Sequence, residues 1–404
     1  MLLTIIVFFL ILSALILIHE LGHFIMARAL GIKVEEFGFG FPLTRAIFSI
    51  KKGETIYSFY PVLIGGFVKL YGEDEAGAGR VSMSKFKKAT VKTKGSDRAF
   101  FARNPWQRAA VVVAGVVMNV LLSAFIFYIF LFASNFKTDL PLINDHKFFL
   151  VDQKNTPAGI VISGVFSDSP AGRAQIKIPS KIIKLDGQDI TPTTFVQEVN
   201  QKKGKTITLG LVDQSSNKNY SVSLIPRVSP PASEGALGLK ISVVSFAIAH
   251  LSYDTPLQKL FSGFIHPANL LAWNFDAFAS IISTAVKHNN YTQVAEGVSG
   301  PIGIFSIVSV YTHIPDAREA ILQLLFLSGF LSAFLAFVNI LPIPALDGGR
   351  LFFILIEAVS GKKINPQTEA LLNNIFMIIL LAVMAAVTFK DVFFLISGQL
   401  PLAP

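Results

Sequence analysis

Four long apolar stretches constrain this chain more than any other feature of its sequence. A helix needs about 20 residues to cross the hydrocarbon core of a bilayer, and each stretch is about that long or longer. Only 15% of the residues are charged, whereas soluble domains carry about a quarter. The sequence therefore predicts a polytopic α-helical membrane protein with four transmembrane helices. These run from Met1 to about Met26, from about Ala109 to Phe132, from about Ile321 to Ile340 and from about Leu371 to Phe389.

The distribution of basic residues predicts how the chain is oriented. The net charge is +9, which we interpret as anchoring to anionic lipid headgroups, not as a nucleic-acid-binding surface. By the positive-inside rule the basic segments are cytoplasmic, which places the N-terminus, residues 134–318 and the C-terminus outside. The basic residues follow the first span or Asp347 and include Lys85, Lys87, Lys88, Lys92, Lys94, Arg350, Lys362 and Lys363.

The first apolar stretch carries three ionisable residues, His19, Glu20 and His23. Such groups are costly at membrane depth and usually mark a functional site. A signal peptide is the alternative for this stretch. It is disfavoured because no Lys or Arg precedes Arg28 and no small-residue cleavage site is evident.

The spacing of these residues predicts a zinc site. On a helix, His19 and His23 are one turn apart, so both imidazoles can bind one Zn²⁺ ion, and Glu20 is placed to take a proton from water at the metal. A catalytic zinc site needs a third protein ligand and an open position. The chain has no cysteine, so thiolate ligands, disulfides and cysteine nucleophiles are excluded.

Asp347 is the candidate for the third ligand. Pro342 and Pro344 break the third span and free backbone groups there, and Asp347 follows in a glycine-flanked position. The alternative role for Asp347 is an N-cap of a helix over 348–358. Glu357 lies beyond the break, and five other histidines belong to the outer segment, where we expect surface or packing roles: His146, His250, His266, His288 and His313.

The segments between the spans predict two β-containing regions. Residues 34–71 alternate β-rich runs with glycine pairs and are apolar for a loop. We therefore expect a membrane-associated β-hairpin region that dips into the bilayer against the helices, an ordinary peripheral hairpin being the alternative. Residues 155–227 have the order of strands and helices of a PDZ-like α+β domain, and residues 228–300 have an amphipathic pattern.

The predicted organisation has seven segments along the chain. The first three are a transmembrane helix with His19, Glu20 and His23 over 1–27, a cytoplasmic or membrane-associated β-region and basic loop over 28–108, and a second transmembrane helix over 109–133. A PDZ-like domain over 155–227 and an extracytoplasmic amphipathic segment over 228–300 follow. The last two are a third transmembrane segment with the Asn-Pro-Asp-Gly motif over 301–350, and a cytoplasmic-side helix with the fourth transmembrane helix over 351–396.

Two separated motifs in this order resemble a known family. His19-Glu-Leu-Gly-His23 in the first span, Asn339-x-x-Pro-x-Pro-x-Leu-Asp-Gly348 before the last, and a PDZ-like domain between them are similar to site-2 proteases, closest to the bacterial RseP group. Shorter likenesses extend over nearly the whole chain: Gly38-Phe-Gly40, Gly65-Gly-Phe-Val-Lys69, Ala114-Gly115 with Asn119, and Ser299-Gly-Pro-Ile-Gly303.

The resemblance implies an intramembrane zinc metalloprotease in the bacterial inner (cytoplasmic) membrane, with the PDZ-like domain outside. It implies that His19, His23 and Asp347 bind zinc and that Glu20 activates water. Substrates are single-pass membrane proteins, such as anti-sigma factors or remnant signal peptides, whose entry the PDZ-like domain gates. They are held as extended strands, which makes Asn339, Pro342, Gly38, Phe39 and Gly40 the candidate substrate contacts. Asn119 belongs to one of the shorter likenesses to this family, and interhelical packing is the alternative explanation for this residue.

Two functions from other classes remain to be weighed against a protease. A catalytically silent membrane adaptor that binds partners through its PDZ-like domain has no need of His19, Glu20, His23 and Asp347 together, and its zinc content would differ. A transporter is disfavoured because four spans show no inverted repeat and no paired charges.

Overall fold

The computed structural model describes most of the chain in two compact units. The helical unit comprises Met1–Phe136 with Thr255–Pro404, and the β-rich unit comprises Lys137–Asp254. The predicted basic residues from Lys85 to Lys94, together with Lys363, lie outside the described residues. The structure describes residues 1–42, 45–73, 96–142, 146–156, 159–190, 192–213, 218–231, 234–244, 247–288, 298–362 and 365–397.

The α-helices among these residues are, in chain order, α1 (Leu2–Ala29), α2 (Pro105–Ala133), α3 (Pro170–Arg173), α4 (Pro192–Gln201), α5 (Pro256–His288), α6 (Pro301–Thr312), α7 (Ala317–Ile340), α8 (Asp347–Ser360) and α9 (Pro366–Ile396).

The strands are β1 (Val34–Phe41), β2 (Phe48–Lys52), β3 (Thr55–Phe59), β4 (Val62–Leu70), β5 (Lys137–Leu142), β6 (Asp152–Thr156), β7 (Gly159–Val165), β8 (Ser180–Leu185), β9 (Gln188–Asp189), β10 (Ile207–Asp213), β11 (Lys218–Leu224), β12 (Leu239–Val244) and β13 (Ala247–Ser252).

Four helices of the helical unit, α1, α2, α7 and α9, are long and apolar enough to cross a membrane. They coincide with the four predicted stretches, so this part of the prediction is confirmed. Local signals explain where two of them start. Asn104 forms a capping box with Gln107 ahead of α2, with Pro105 as the first helical residue, and the Asp316 carboxylate accepts from two backbone N–H groups at the start of α7.

The β-region of the helical unit is a four-stranded sheet of order β2-β3-β1-β4. The region is therefore larger than the predicted β-hairpin, because four strands form one sheet. β1 pairs in parallel with β3 and antiparallel with β4, so its backbone is bonded on both sides. A parallel pair needs a connection longer than a hairpin turn, and β2 is part of that connection. Apolar residues of β1 and β4, such as Val34, Val68 and Leu70, join a core with α1 and α2.

The β-rich unit contains a sheet of order β11-β10-β8-β7-β12, with β9 beside β8, and a second sheet of order β5-β13-β6. An apolar core lies beneath the larger sheet and includes Ile162, Leu185, Leu209 and Phe195 of α4. These elements are consistent with the PDZ-like prediction.

The boundaries of that unit differ from the predicted 155–227. β12 and β13 lie within the segment predicted to be amphipathic, 228–300, where β12 pairs with β7 and β13 with β5 and β6. Their partners lie far away along the chain, so local pattern did not indicate them. The rest of that segment includes the long helix α5, as expected.

Candidate metal centre

Three side chains of the helical unit converge on one point. The Nε2 atom of His19 lies 2.8 Å from Oδ2 of Asp347, and Nε2 of His23 lies 3.3 Å from the same oxygen. The two Nε2 atoms are 3.2 Å apart. Ligands of a tetrahedral zinc ion at about 2.0–2.1 Å are separated by about 3.3 Å. This donor set of two imidazoles and one carboxylate therefore fits one zinc ion and leaves a fourth position for water or substrate.

Close approach of α1 and α2 makes this convergence possible. A methyl group at Gly115 would lie 2.5 Å from Nε2 of His23 and 2.8 Å from Cε1 of His19. One at Gly22 would collide with the backbone carbonyl of Ala114. Glycine at both positions therefore lets α2 pass directly beside the two imidazoles, since Cβ atoms do not approach other atoms this closely.

The turn before α8 delivers Asp347 from a distant part of the chain. Side chains at Gly348 and Gly349 would collide with backbone atoms of Ile340 to Ile343, so the two glycines allow the chain to fold back on the end of α7. Asn373 of α9 accepts a hydrogen bond from the backbone N–H of Ala345 at 3.0 Å, which supports the same turn. Leu346 occupies the N-cap position, so the N-cap alternative for Asp347 was wrong.

Each imidazole is also held by its second nitrogen. Nδ1 of His23 lies 2.8 Å from the carbonyl oxygen of Val111. Since a carbonyl can only accept, Nδ1 carries the proton and Nε2 has a free electron pair for a metal. Nδ1 of His19 lies 3.1 Å from the side-chain amide of Asn119, which is fully buried.

Glu20 faces a cavity of about 120 Å³ together with His23 and Asp347. Glu73 and Arg350, joined by an ion pair of 2.7 Å, also line it. Two of the three candidate metal ligands and the general-base candidate thus line one cavity. The cavity is lined by Glu20, His23, Val68, Leu70, Glu73, Val111, Val112, Asp347 and Arg350.

None of the predicted substrate contacts is among the described residues that line this cavity. Gly38, Phe39 and Gly40 belong to β1, whose backbone is paired with both neighbours up to Phe39. Asn339 is half-buried in the last turn of α7 and Pro342 is exposed just after it. Their role as substrate contacts stays a prediction, but β1 is not a free edge for strand addition.

Several residues of the site were not predicted from the sequence to lie at the metal centre. Gly115 and Asn119 belong to a short likeness in the second span, and the polar Asn119 inside an apolar helix was the available signal. Glu73 carried no signal because its partner, Arg350, is 277 residues away along the chain. Of the histidines set aside, four join no metal-binding group among the described residues: His146, His250, His266 and His313.

Comparison with known proteins decides the family. A family model described as peptidase family M50 matches residues 7–383. The chain belongs to peptidase family M50. The match covers almost the whole chain, including both motifs of the metal centre. It confirms the resemblance to site-2 proteases and identifies the chain as a membrane metalloprotease.

Relatives agree with this assignment along nearly their full length. A Clostridium perfringens protein with zinc metalloprotease in its name is 30% identical over 95% of this chain and 96% of its own. The zinc metalloprotease RasP of Bacillus licheniformis is 26% identical over 96% of this chain and 98% of its own. The regulator of sigma-W protease RasP of Bacillus subtilis is 25% identical, with the same coverage.

Proposed function

We propose that this M50 peptidase hydrolyses peptide bonds within the transmembrane segments of single-pass membrane proteins. The observation that carries the proposal is the convergence of His19 Nε2, His23 Nε2 and Asp347 Oδ2 beside a cavity that also contains Glu20. A peptide bond in a lipid-embedded segment can be hydrolysed only where water and catalytic groups are provided inside the protein. This arrangement would supply both within a helical unit that has four helices long and apolar enough to span a membrane.

His19, His23 and Asp347 would hold the zinc ion, the metal named for the relatives. Zinc supplies Lewis acidity, which lowers the pKa of water and polarises a carbonyl. The protein residues orient the reaction: Val111 holds the His23 ring through Nδ1, and Gly348 and Gly349 hold the turn that presents Asp347.

Glu20 is the proposed general base. Its support is that Glu20 follows His19 on α1 and lines the cavity together with His23 and Asp347. It would take a proton from the attacking water and deliver a proton to the nitrogen of the scissile bond as that bond breaks. Removal of a general base typically lowers the rate by about 10²–10⁴-fold.

The outer edge of β4 is the proposed place for the substrate backbone. β4 ends the four-stranded sheet, so no described strand pairs with its outer side. It runs beside Glu20, because a methyl group at Gly66 would lie 3.6 Å from Cγ of Glu20. A substrate helix hides its scissile carbonyls in hydrogen bonds, whereas strand addition to β4 would unwind the segment and expose one. Strand addition thus moves from the predicted β1 to β4.

Substrate class and location complete the proposal. One relative is named for the regulation of sigma-W, and by analogy we propose anti-sigma factors or remnant signal peptides as substrates. The chain would lie in the bacterial cytoplasmic membrane, in contact with lipid, with the β-rich unit outside as a PDZ-like domain that gates substrate entry. The proposed water route enters on the cytoplasmic side through the Glu73–Arg350 wall of the cavity.

The principal test compares wild type with Glu20→Gln. Purified proteins in liposomes are given a single-pass reporter tagged at both ends, and zinc is measured on each. We expect wild type to cut within the span, and Glu20→Gln to keep its zinc and lose at least about 100-fold of the rate. Glu319→Gln, on an exposed turn of α7, is the matched control. Zinc-free wild type would refute the metal site, and full activity of Glu20→Gln would refute its role.

A second test concerns the β4 edge. The chain has no cysteine, so single cysteines can be placed without a background. Lys69→Cys on β4 is compared with Lys51→Cys on β2, the other edge of the same sheet. With a cysteine placed in the reporter span and Glu20→Gln to prevent cutting, we expect disulfide cross-linking through β4 only. Equal cross-linking at both edges would contradict strand addition at β4.

A further inference from the structure

Asn119 lies at full burial in the middle of α2, an apolar helix. Its side-chain amide nitrogen lies 3.1 Å from Nδ1 of His19, on the neighbouring helix α1. Its side-chain oxygen is buried and has no hydrogen-bond partner. An unpaired amide oxygen inside a protein costs about 1–3 kcal/mol, so the position of this side chain calls for a reason.

Packing between helices does not supply that reason. The contact of α2 with α7 uses other polar groups: Ser332 donates to the backbone carbonyl of Asn119 at 2.9 Å, and Ser123 donates to the carbonyl of Gly329 at 2.8 Å. The side chain of Asn119 instead reaches His19, whose other nitrogen points at the metal position.

The tautomer of His19 explains which end of the amide is needed. To bind a metal through Nε2, the ring must carry its proton on Nδ1. That proton needs an acceptor, and the amide nitrogen of Asn119 cannot accept. A half-turn of the amide exchanges its nitrogen and oxygen and brings Oδ1 to Nδ1 of His19. His23 already has the same arrangement, with the Val111 carbonyl as acceptor.

We propose that Asn119 is the positioning residue for the metal ligand His19: its amide oxygen accepts the Nδ1 proton, which holds the ring and keeps Nε2 available. The inference rests on the proposed zinc site. With Val111 acting on His23, each imidazole ligand then has one acceptor from α2, so this helix aligns both rings. Loss of such an outer contact typically lowers metal affinity about 10–100-fold.

The test measures zinc affinity by chelator competition, independently of proteolysis. Asn119→Leu keeps the approximate size and removes the acceptor, and we expect zinc affinity to fall about 10–100-fold. Asn119→Asp keeps an acceptor oxygen, and we expect affinity at or above that of wild type. Ser123→Ala, one turn along the same helix, removes a buried interhelical hydrogen bond that does not involve His19 and should leave zinc affinity unchanged. Cobalt-loaded protein should show an altered visible spectrum for Asn119→Leu alone.

The outcomes separate the two levels of the argument. Wild type without zinc overturns the proposed metal site itself. Wild type with zinc and an equal affinity in folded Asn119→Leu overturns only the positioning role, as does a loss in Asn119→Asp as large as in Asn119→Leu. If Asn119→Leu does not fold, Asn119→Asp decides, because retained affinity supports an acceptor role and lost affinity overturns it.

Discussion

The two units of this protein differ in where their apolar side chains lie. The core of the β-rich unit is built from apolar side chains such as Ile162, Leu185 and Leu209, and its ion pair between Asp186 and Lys202 lies near the surface. In the helical unit, apolar side chains face outwards over much of α9, whose most apolar stretch has no buried residue. Its polar groups are instead buried at a few defined points.

The difference follows from the surroundings that each unit requires. In water, burial of apolar surface drives packing, so apolar residues determine the core. Among lipid-like surroundings apolar contact distinguishes little, and small residues with polar contacts decide which helices meet. In the helical unit these contacts lie at the metal centre and at the end of α9, where Asp391 is buried.

The largest effect is expected from added volume at the metal centre. Gly115→Ala places a methyl group where the two imidazoles lie. We expect zinc affinity to fall about 100-fold and proteolysis to be lost, since overpacking costs about 1–3 kcal/mol and falls directly on the ligands. Ala382→Val, at an exposed position of α9, is the matched control and should change neither. Zinc titration of both variants checks this; full affinity in Gly115→Ala would break the comparison.

Truncation of a buried side chain in the core of the β-rich unit should destabilise that unit and leave the metal centre intact. Leu209 is 0% exposed in β10, so Leu209→Ala should destabilise its unit by about 2–5 kcal/mol. Hydrogen exchange of the full-length protein would locate the loss in residues 137–254. Val196→Ala, at an exposed site, is the control. A fall in zinc affinity together with the loss of stability would contradict this expectation, because the metal centre would then depend on the core of the β-rich unit.

Loss of a buried carboxylate should destabilise the helical unit more modestly. Asp391 accepts hydrogen bonds from the backbone N–H groups of Gly300 and Gly303 at 2.9 and 2.8 Å, at the start of α6. Asp391→Ala leaves both donors without this acceptor, and we expect a loss of about 2–3 kcal/mol. Val383→Ala, an apolar and exposed change on the same helix, should cost far less. Equal losses of stability in the thermal unfolding of the two variants would contradict the expectation that a buried polar contact stabilises this unit more than an exposed apolar side chain does.

The smallest effect concerns the surface of the β-rich unit. Hydrogen bonds from Lys202 and from the backbone N–H of Thr208 hold the pKa of Asp186 below its ordinary value. A depressed carboxyl pKa adds stability above the unfolded-state pKa, and this is lost as pH falls through the folded-state value. Because the pair is partly exposed, the gain is a few tenths of a kcal/mol. Asp186→Asn should be slightly less stable than wild type at pH 7 and equal to it at pH 2; a constant difference would contradict the ionic origin.

Much of this protein follows from sequence by local rules. The four long apolar helices are evident from composition, because length and apolarity suffice to recognise a helix that could span a membrane. His19 and His23 share a helix, so their spacing alone predicted a shared metal. The prolines and glycines around Asp347 likewise marked a break at which a distant ligand could enter. Peptidase family membership then agreed with these motifs.

Tertiary structure decided what depends on contacts between distant residues. The pairing of β1 on both sides moved the proposed substrate strand to β4, and β12 and β13 extended the β-rich unit beyond residue 227, because strand partners are chosen across the fold and not along the chain. Likewise only the packing of α1 on α2 showed that Gly115 makes room for the imidazoles and that Asn119 reaches His19. The sequence indicated the candidate ligands of the site, and close packing of helices determined what holds those side chains in place.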